Sequence, residues 1–190
     1  MPAPDIAKEI KLSLKDLEKL AKDTVPRAVG IEVSELFKSN FDKGGFFGQP
    51  WQTPLRIPAG LPGPEHGPLL SGTNHLRSSI KYDHMPWRTI VYTIVHYAGI
   101  HNEGGEITVT KRMKGHFWGN YKEAGGYNHG NMSKEAMFWR NMALKKEGSK
   151  IRIPKRQFMG DHPEVRRKIE ETIDNQLKKY INGITTRRSH

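Results

Sequence analysis

The 190-residue chain contains no cysteine. That absence excludes a disulfide framework, a thiol nucleophile and any Cys-ligated zinc or iron–sulfur centre, and it fits a reducing cytosol. Long hydrophobic runs are missing too. No stretch approaches the ~18–20 apolar residues of a membrane span, and the first 20 residues alternate Lys with Leu or Ile instead of building a signal-peptide core. Also lacking are zinc-finger spacing, a basic zipper, an aromatic RNA-binding strand signature and any internal repeat. What is present is 35% apolar and 27% charged residues, enough to bury a modest core. The composition points to a soluble, basic, intracellular protein with one domain over residues 1–190.

The formal charge of +11 is unevenly placed. Residues 1–105 hold 12 basic and 11 acidic side chains, whereas residues 106–190 hold 19 basic and 9 acidic ones, so the second part carries +10. Its clusters include Lys111-Arg112, Lys145-Lys146, Lys155-Arg156 and Arg166-Arg167-Lys168. Lys111, Arg112, Lys145, Lys146, Lys155, Arg166, Arg167 and Lys168 are therefore the candidate interaction surface, suited to a polyanion or an acidic protein face. The plainer reading is a solvated, solubilising face.

Periodicity divides the chain into segments. Ile6, Ile10, Leu14 and Leu17 predict an amphipathic helix over 5–22. Val29, Val33, Leu36, Phe37 and Phe41 predict a second helix, which Gly44-Gly45 end. Residues 44–72 hold seven Gly and six Pro in 29 positions, so they read as an extended loop, with Trp51 docking it. Leu76 and Ile80 suggest a helical turn before a strand. Thr89–Val95 is apolar on both faces, as a central strand covered on two sides would be. Ile107–Val109 and Ile151–Ile153 are further strands, with residues 110–150 inserted between them and a helix expected from Ser133 to Lys146. Asp161 as N-cap, Pro163 and Glu164 open a last helix over 161–182, whose Val165, Ile169, Ile173, Leu177 and Ile181 recur every four residues. The expected class is α+β: a small, mostly antiparallel sheet over 73–109 and 151–160, packed with N-terminal (5–43) and C-terminal helices.

Catalytic chemistry has one candidate, His96, His101 and Glu103, which could hold a metal or act as base and acid. The spacing is wrong for the helical zinc motif, and on a strand the two histidines would face apart unless Gly99 bends the chain. No nucleophile elbow and no phosphate-binding glycine loop is present. A structural His101 is the competing reading. No enzyme activity, catalytic residue, metal or cofactor is expected.

Four ordered blocks carry a resemblance. They are Phe41-Asp42-Lys43-Gly44-Gly45 with Trp51-Gln52-Thr53-Pro54-Leu55, Leu69–Ile80, Tyr97-Ala98-Gly99-Ile100-His101-Asn102-Glu103-Gly104-Gly105, and Ile153-Pro154-Lys155-Arg156-Gln157-Phe158-Met159-Gly160. Together they resemble the virion-morphogenesis or tail-completion family of tailed bacteriophages over roughly residues 30–105 and 150–181. Ser71-Gly72-Thr73 departs from the family's Thr-Gly, and the 110–150 block exceeds that of the shortest members.

The resemblance implies a structural, non-catalytic protein of the virion tail or neck, assembled in the bacterial cytoplasm and promoting head–tail joining. Its partners would be further copies in a ring, a hexamer to match the six-fold tail tube, together with tail-tube or connector proteins. The basic surface would also allow non-specific DNA contact, and membrane contact is not expected. Gly44, Gly45, Trp51, Gly72, Tyr97, His101, Gly104, Gly105, Pro154, Arg156 and Phe158 become fold determinants on this view. Gly104-Gly105 would form a tight turn, Trp51 and Phe158 would anchor loops, and His101 would fix the bend after the strand. The alternatives are a nucleic-acid-binding protein using the basic 106–190 surface and, less favoured, a His/Glu metal-dependent hydrolase.

Overall fold

A computed structural model describes residues 14–53, 73–126 and 132–188. In chain order, α1 (residues 14–19) runs into a π-helical turn (Leu20–Thr24) and then α2 (Val25–Lys43). There follow β1 (Gly45–Phe46), β2 (Gln49–Pro50), α3 (His75–Ser78), β3 (Lys81–Met85), β4 (Arg88–Tyr92), α4 (Ala98–Glu103) and β5 (Gly105–Thr108). The chain continues through α5 (Lys111–Glu123), α6 (Lys134–Ala143), β6 (Lys150–Ile153) and α7 (Pro163–Arg188). This is an α+β fold. The expected residues 5–13 of the first helix, 54–72 of the loop and 127–131 of the insertion lie outside the described residues.

The strands are distributed over three antiparallel pairs, β1–β2, β3–β4 and β5–β6, and not gathered into one sheet. The Thr89–Val95 run is accordingly no central strand. Only its first four residues extend into β4, half of a hairpin, and Ile90 and Ile94 are exposed. A seven-residue apolar run cannot by itself distinguish a strand covered on both faces from a hairpin strand followed by an apolar linker.

Spatially the chain forms two compact units that interleave along the sequence. Met1–Ser39, Arg77–Ile94 and Gly160–His190 make one, and Asn40–Leu76 with Val95–Met159 make the other.

In the first unit, α2 buries Val29, Val33 and Phe37, a stripe at four-residue spacing. Between them Gly30 lies against the β3–β4 hairpin. A Cβ there would come within 2.4 Å of Tyr82 Cδ2 and 2.7 Å of Thr89 Oγ1, so the close approach requires glycine. Pro26 explains the π turn before α2. It has no N–H for the Lys22 carbonyl four residues back, and its ring crowds that carbonyl. The backbone widens, and the Val25 N–H bonds the Leu20 carbonyl five residues back. The Lys22 carbonyl accepts from the Trp87 N–H instead, at 3.0 Å.

Trp87 sits at the tip of that hairpin. Met85 pairs with Arg88, leaving Pro86 and Trp87 as a two-residue loop. Proline cannot take positive φ, which rules out the usual type I′ turn, and Trp87 carries the left-handed conformation alone, at φ 66°. For a bulky residue that conformation costs about 1–2 kcal/mol.

The start of α7 differs from the sequence expectation. His162, not Asp161, caps the helix: its Nδ1 accepts the Glu164 N–H at 3.2 Å. Asp161 instead accepts from Arg166 Nε at 3.0 Å, and Glu164 pairs with Arg167, so neither is left for a capping box.

In the second unit, Gly44 (φ 64°) ends α2 as its sequence suggests. The loop expected from residue 44 begins with a small hairpin, because Phe47 (φ 46°) and Gly48 (φ 90°) both accept the left-handed conformation that a tight two-residue turn needs. The 110–150 block holds two helices where one was expected. Thr110 caps α5 by accepting the Met113 N–H at 3.2 Å, and Ser133 caps α6 by accepting the Ala136 N–H at 3.0 Å. The two helices meet through stacked Phe117 and Trp139 rings, 6.2 Å apart, with Ala136 and Ala143 fully buried.

Candidate functional site

Most of the motif residues gather in the second unit around Phe41, which is 0% exposed. Its ring meets Trp51 edge-on at 5.5 Å and Phe158 at 5.1 Å. Such contacts add about 0.5–1.5 kcal/mol each beyond area burial. Trp51 is held at both ends: its N–H donates to the Gly44 carbonyl at 2.9 Å, and its indole Nε1 donates to the Gln157 carbonyl at 2.7 Å. Segment 154–159 is thereby fastened to the chain after α2.

Polar side chains complete the closure. Asn40, fully buried, donates from Nδ2 to the Phe158 carbonyl at 3.1 Å and accepts the Phe47 N–H at 3.3 Å. Asn102 Oδ1 accepts two successive backbone N–H groups, Phe158 and Met159, each at 3.0 Å. Arg156 is buried, donates from Nε to the Gln52 carbonyl at 3.1 Å, and its own N–H donates to the His101 carbonyl at 2.7 Å. Gly104 (φ 75°) turns the chain from α4 into β5, and a Cβ there would come within 2.8 Å of the Lys155 nitrogen. Buried backbone groups of an irregular segment need such partners, since an unmet one costs about 1–3 kcal/mol.

Gly45, Gly105 and Pro154 lie on the strands and turns that flank this cluster, while Gly72 lies outside the described residues. Tyr97 stands against the His96 ring at 5.2 Å and the His101 ring at 5.9 Å. Asn40 and Asn102 were not singled out from the sequence. The signal was available, because both abut motif residues, Phe41 and His101, and a buried Asn beside a glycine turn is a natural backbone tie.

The His96, His101 and Glu103 trio is arranged differently from a metal site. His101 lies within α4, and His96 is exposed before it. Glu103 is engaged by Asn102 Nδ2 and stands 3.8 Å from Lys155 Nζ. Among the described residues, no group of three or more His, Cys, Asp or Glu side chains is placed to hold a metal. Burial, reinforced by the Arg156 charge, holds the His101 imidazole below its ordinary pKa of 6.5. Its buried Nδ1 has no hydrogen-bond partner among the described residues.

The candidate basic surface separates into two sets. Lys111 and Arg112 at the start of α5, Lys146 after α6, and Lys155 are exposed in the second unit, with Lys145 half-buried. Arg166, Arg167 and Lys168 belong to the first unit, and each has an acidic partner: Asp161, Glu164 and, at 2.9 Å, Glu32. Those three cations are already locally paired, as is Lys155 with Glu103 at 3.8 Å. The excess charge open to a partner is weighted toward the second unit.

A family model for phage virion morphogenesis proteins matches residues 6–178. The chain belongs to the phage virion morphogenesis family. Its role is therefore in phage virion assembly, and the family suggests a structural contribution, not a catalytic one. No curated protein and no solved structure matches the chain. The matched span takes in both units, so the aromatic–asparagine cluster and the Trp87 hairpin alike lie within the family region.

Proposed function

We propose that this virion morphogenesis protein is a tail-completion or neck component that promotes head–tail joining, acting as several copies on the end of the tail. The observation that carries the reading is the use made of the motif residues. Phe41, Trp51, Asn102, Gly104, Arg156 and Phe158 are committed to one another and to backbone groups. That is the arrangement of a scaffold whose work is done by its surface. Lys111, Arg112 and Lys146 give that surface its sign and suit an acidic face on a tail-tube, connector or neighbouring subunit. Electron microscopy of a phage lacking this gene tests the reading. Separate, otherwise complete heads and tails are expected, whereas joined, infectious particles would overturn it.

A further inference from the structure

We infer that the tip of the β3–β4 hairpin and the face of α1 and the π turn beside it form a docking surface for an acidic protein surface with an apolar recess. The inference rests on the proposed function in one respect, that the partner lies on a phage head or tail: failure of wild type to bind either would count against that reading, and wild-type binding by Trp87→Gly would count against the tip alone.

Trp87 is 63% exposed, the most exposed tryptophan among the described residues. A glycine or asparagine would fit φ 66° at this turn far more easily. The position is nonetheless held firmly. Pro86 fixes the preceding residue, and the Trp87 N–H is bonded to the carbonyl that Pro26 leaves open at Lys22. A large, rigid, solvent-facing indole on a pre-set backbone is the kind of anchor that dominates protein interfaces.

The surroundings define the partner's chemistry. A groove of about 330 Å³ beside the tip is lined by Pro86 and by Lys15, Glu18, Lys19, Lys22 and Asp23. Lys15, Lys19 and Lys22 recur at i, i+4 and i+7 and open onto that one groove. Asp23 is occupied within the unit, 3.3 Å from His84 Nε2 and 4.0 Å from Arg27. The local balance is positive although residues 1–105 as a whole are near neutral.

A groove in which Glu18 and Asp23 stand among three lysines suits separate carboxylates that can reach the lysines one by one better than the continuous line of phosphates of a duplex. Two copies meeting through this face would set Lys15, Lys19 and Lys22 against their own counterparts, which opposes self-association through it. An acidic surface of a different protein is the occupant that the charge favours.

The test measures co-sedimentation with heads and with tails purified from cells infected by phage lacking this gene. The wild-type chain, Trp87→Gly and a Lys15→Glu/Lys19→Glu/Lys22→Glu variant are compared, with short duplex DNA and the chain alone as parallel arms. Wild type should bind heads or tails. Trp87→Gly should bind at least about tenfold more weakly while melting at or above the wild-type temperature, which separates lost docking from lost folding. The triple variant should lose binding most at low salt, with the gap closing as salt rises. The inference is overturned if Trp87→Gly binds like wild type, or if wild type binds neither heads nor tails. It is equally overturned if the substitution weakens only DNA retention or only self-association, which would make this a nucleic-acid or a copy-to-copy face.

Discussion

The aromatic–asparagine cluster of the second unit and the hairpin tip of the first use similar residues to opposite ends. Trp51 is buried, with its indole N–H given to a backbone carbonyl and its ring to Phe41. Trp87 is solvent-facing in a conformation that disfavours it. In the cluster, Asn40, Asn102 and the Trp51 indole satisfy backbone groups of the irregular 154–159 segment, which has no ladder to join, and Arg156 reaches out from it to the Gln52 carbonyl. At the tip the backbone is satisfied by a displaced helix carbonyl, and the side chain is left over. The contrast separates two uses: the motif residues of the cluster are engaged by one another and by backbone groups, whereas Trp87, outside the motif blocks, is left to the solvent.

The comparison breaks most visibly at Phe158. Phe158→Ala removes a ring that is 1% exposed and leaves Phe41 facing a cavity. A loss of about 3–5 kcal/mol is expected in chemical denaturation, and a loss under about 1 kcal/mol would show that the cluster is not a packing centre. Asn102→Ala comes next. It strips the acceptor from two backbone N–H groups, for an expected cost of about 1–3 kcal/mol, checked by the same measurement.

A smaller effect is expected from pH. Because the folded state holds the His101 pKa below 6.5, it binds fewer protons there than the unfolded chain does. The stability contributed by the neutral imidazole is complete above about pH 6.5 and is lost as pH falls through the folded value. Thermal melts at pH 7.5 and 5 should show this drop, and His101→Gln should reduce it. An unchanged drop in the variant would assign the pH dependence to other groups. Smallest of all, Trp87→Gly should leave stability unchanged or raise it by up to about 1 kcal/mol, since relief of the left-handed strain is partly offset by the flexibility of unfolded glycine.

Much of this architecture is legible in the sequence, and the parts that are not have identifiable causes. The four-residue repeat from Val165 to Ile181 marks α7, Ser133 marks the start of α6, and Gly44 marks the end of α2, because caps and periodicity are local. α5 is hidden by Gly115, Gly119 and its His and Asn neighbours, which read as loop. Thr110 before it, with Met113, Phe117 and Tyr121 at four-residue spacing, was the signal that could have revealed it. The π turn depends on Pro26 meeting a hairpin some sixty residues later in the chain, and no local pattern reports such a pairing. The basic face shared by α1 and the π turn is concealed by averaging. Acidic neighbours cancel Lys15, Lys19 and Lys22 in a count over residues 1–105, yet the helix turns all three toward one groove.

One measurement sets the two regions against each other directly: complementation of a phage lacking this gene, with the titre of each variant plotted against its melting temperature. Phe158→Ala and Asn102→Ala should lose titre in proportion to lost stability and fall on one line. Trp87→Gly should leave that line, keeping the wild-type melting temperature while losing titre. If Trp87→Gly retains full titre, or if Asn102→Ala keeps its stability but loses titre, the division between a scaffold of motif residues and an exposed docking tip is contradicted.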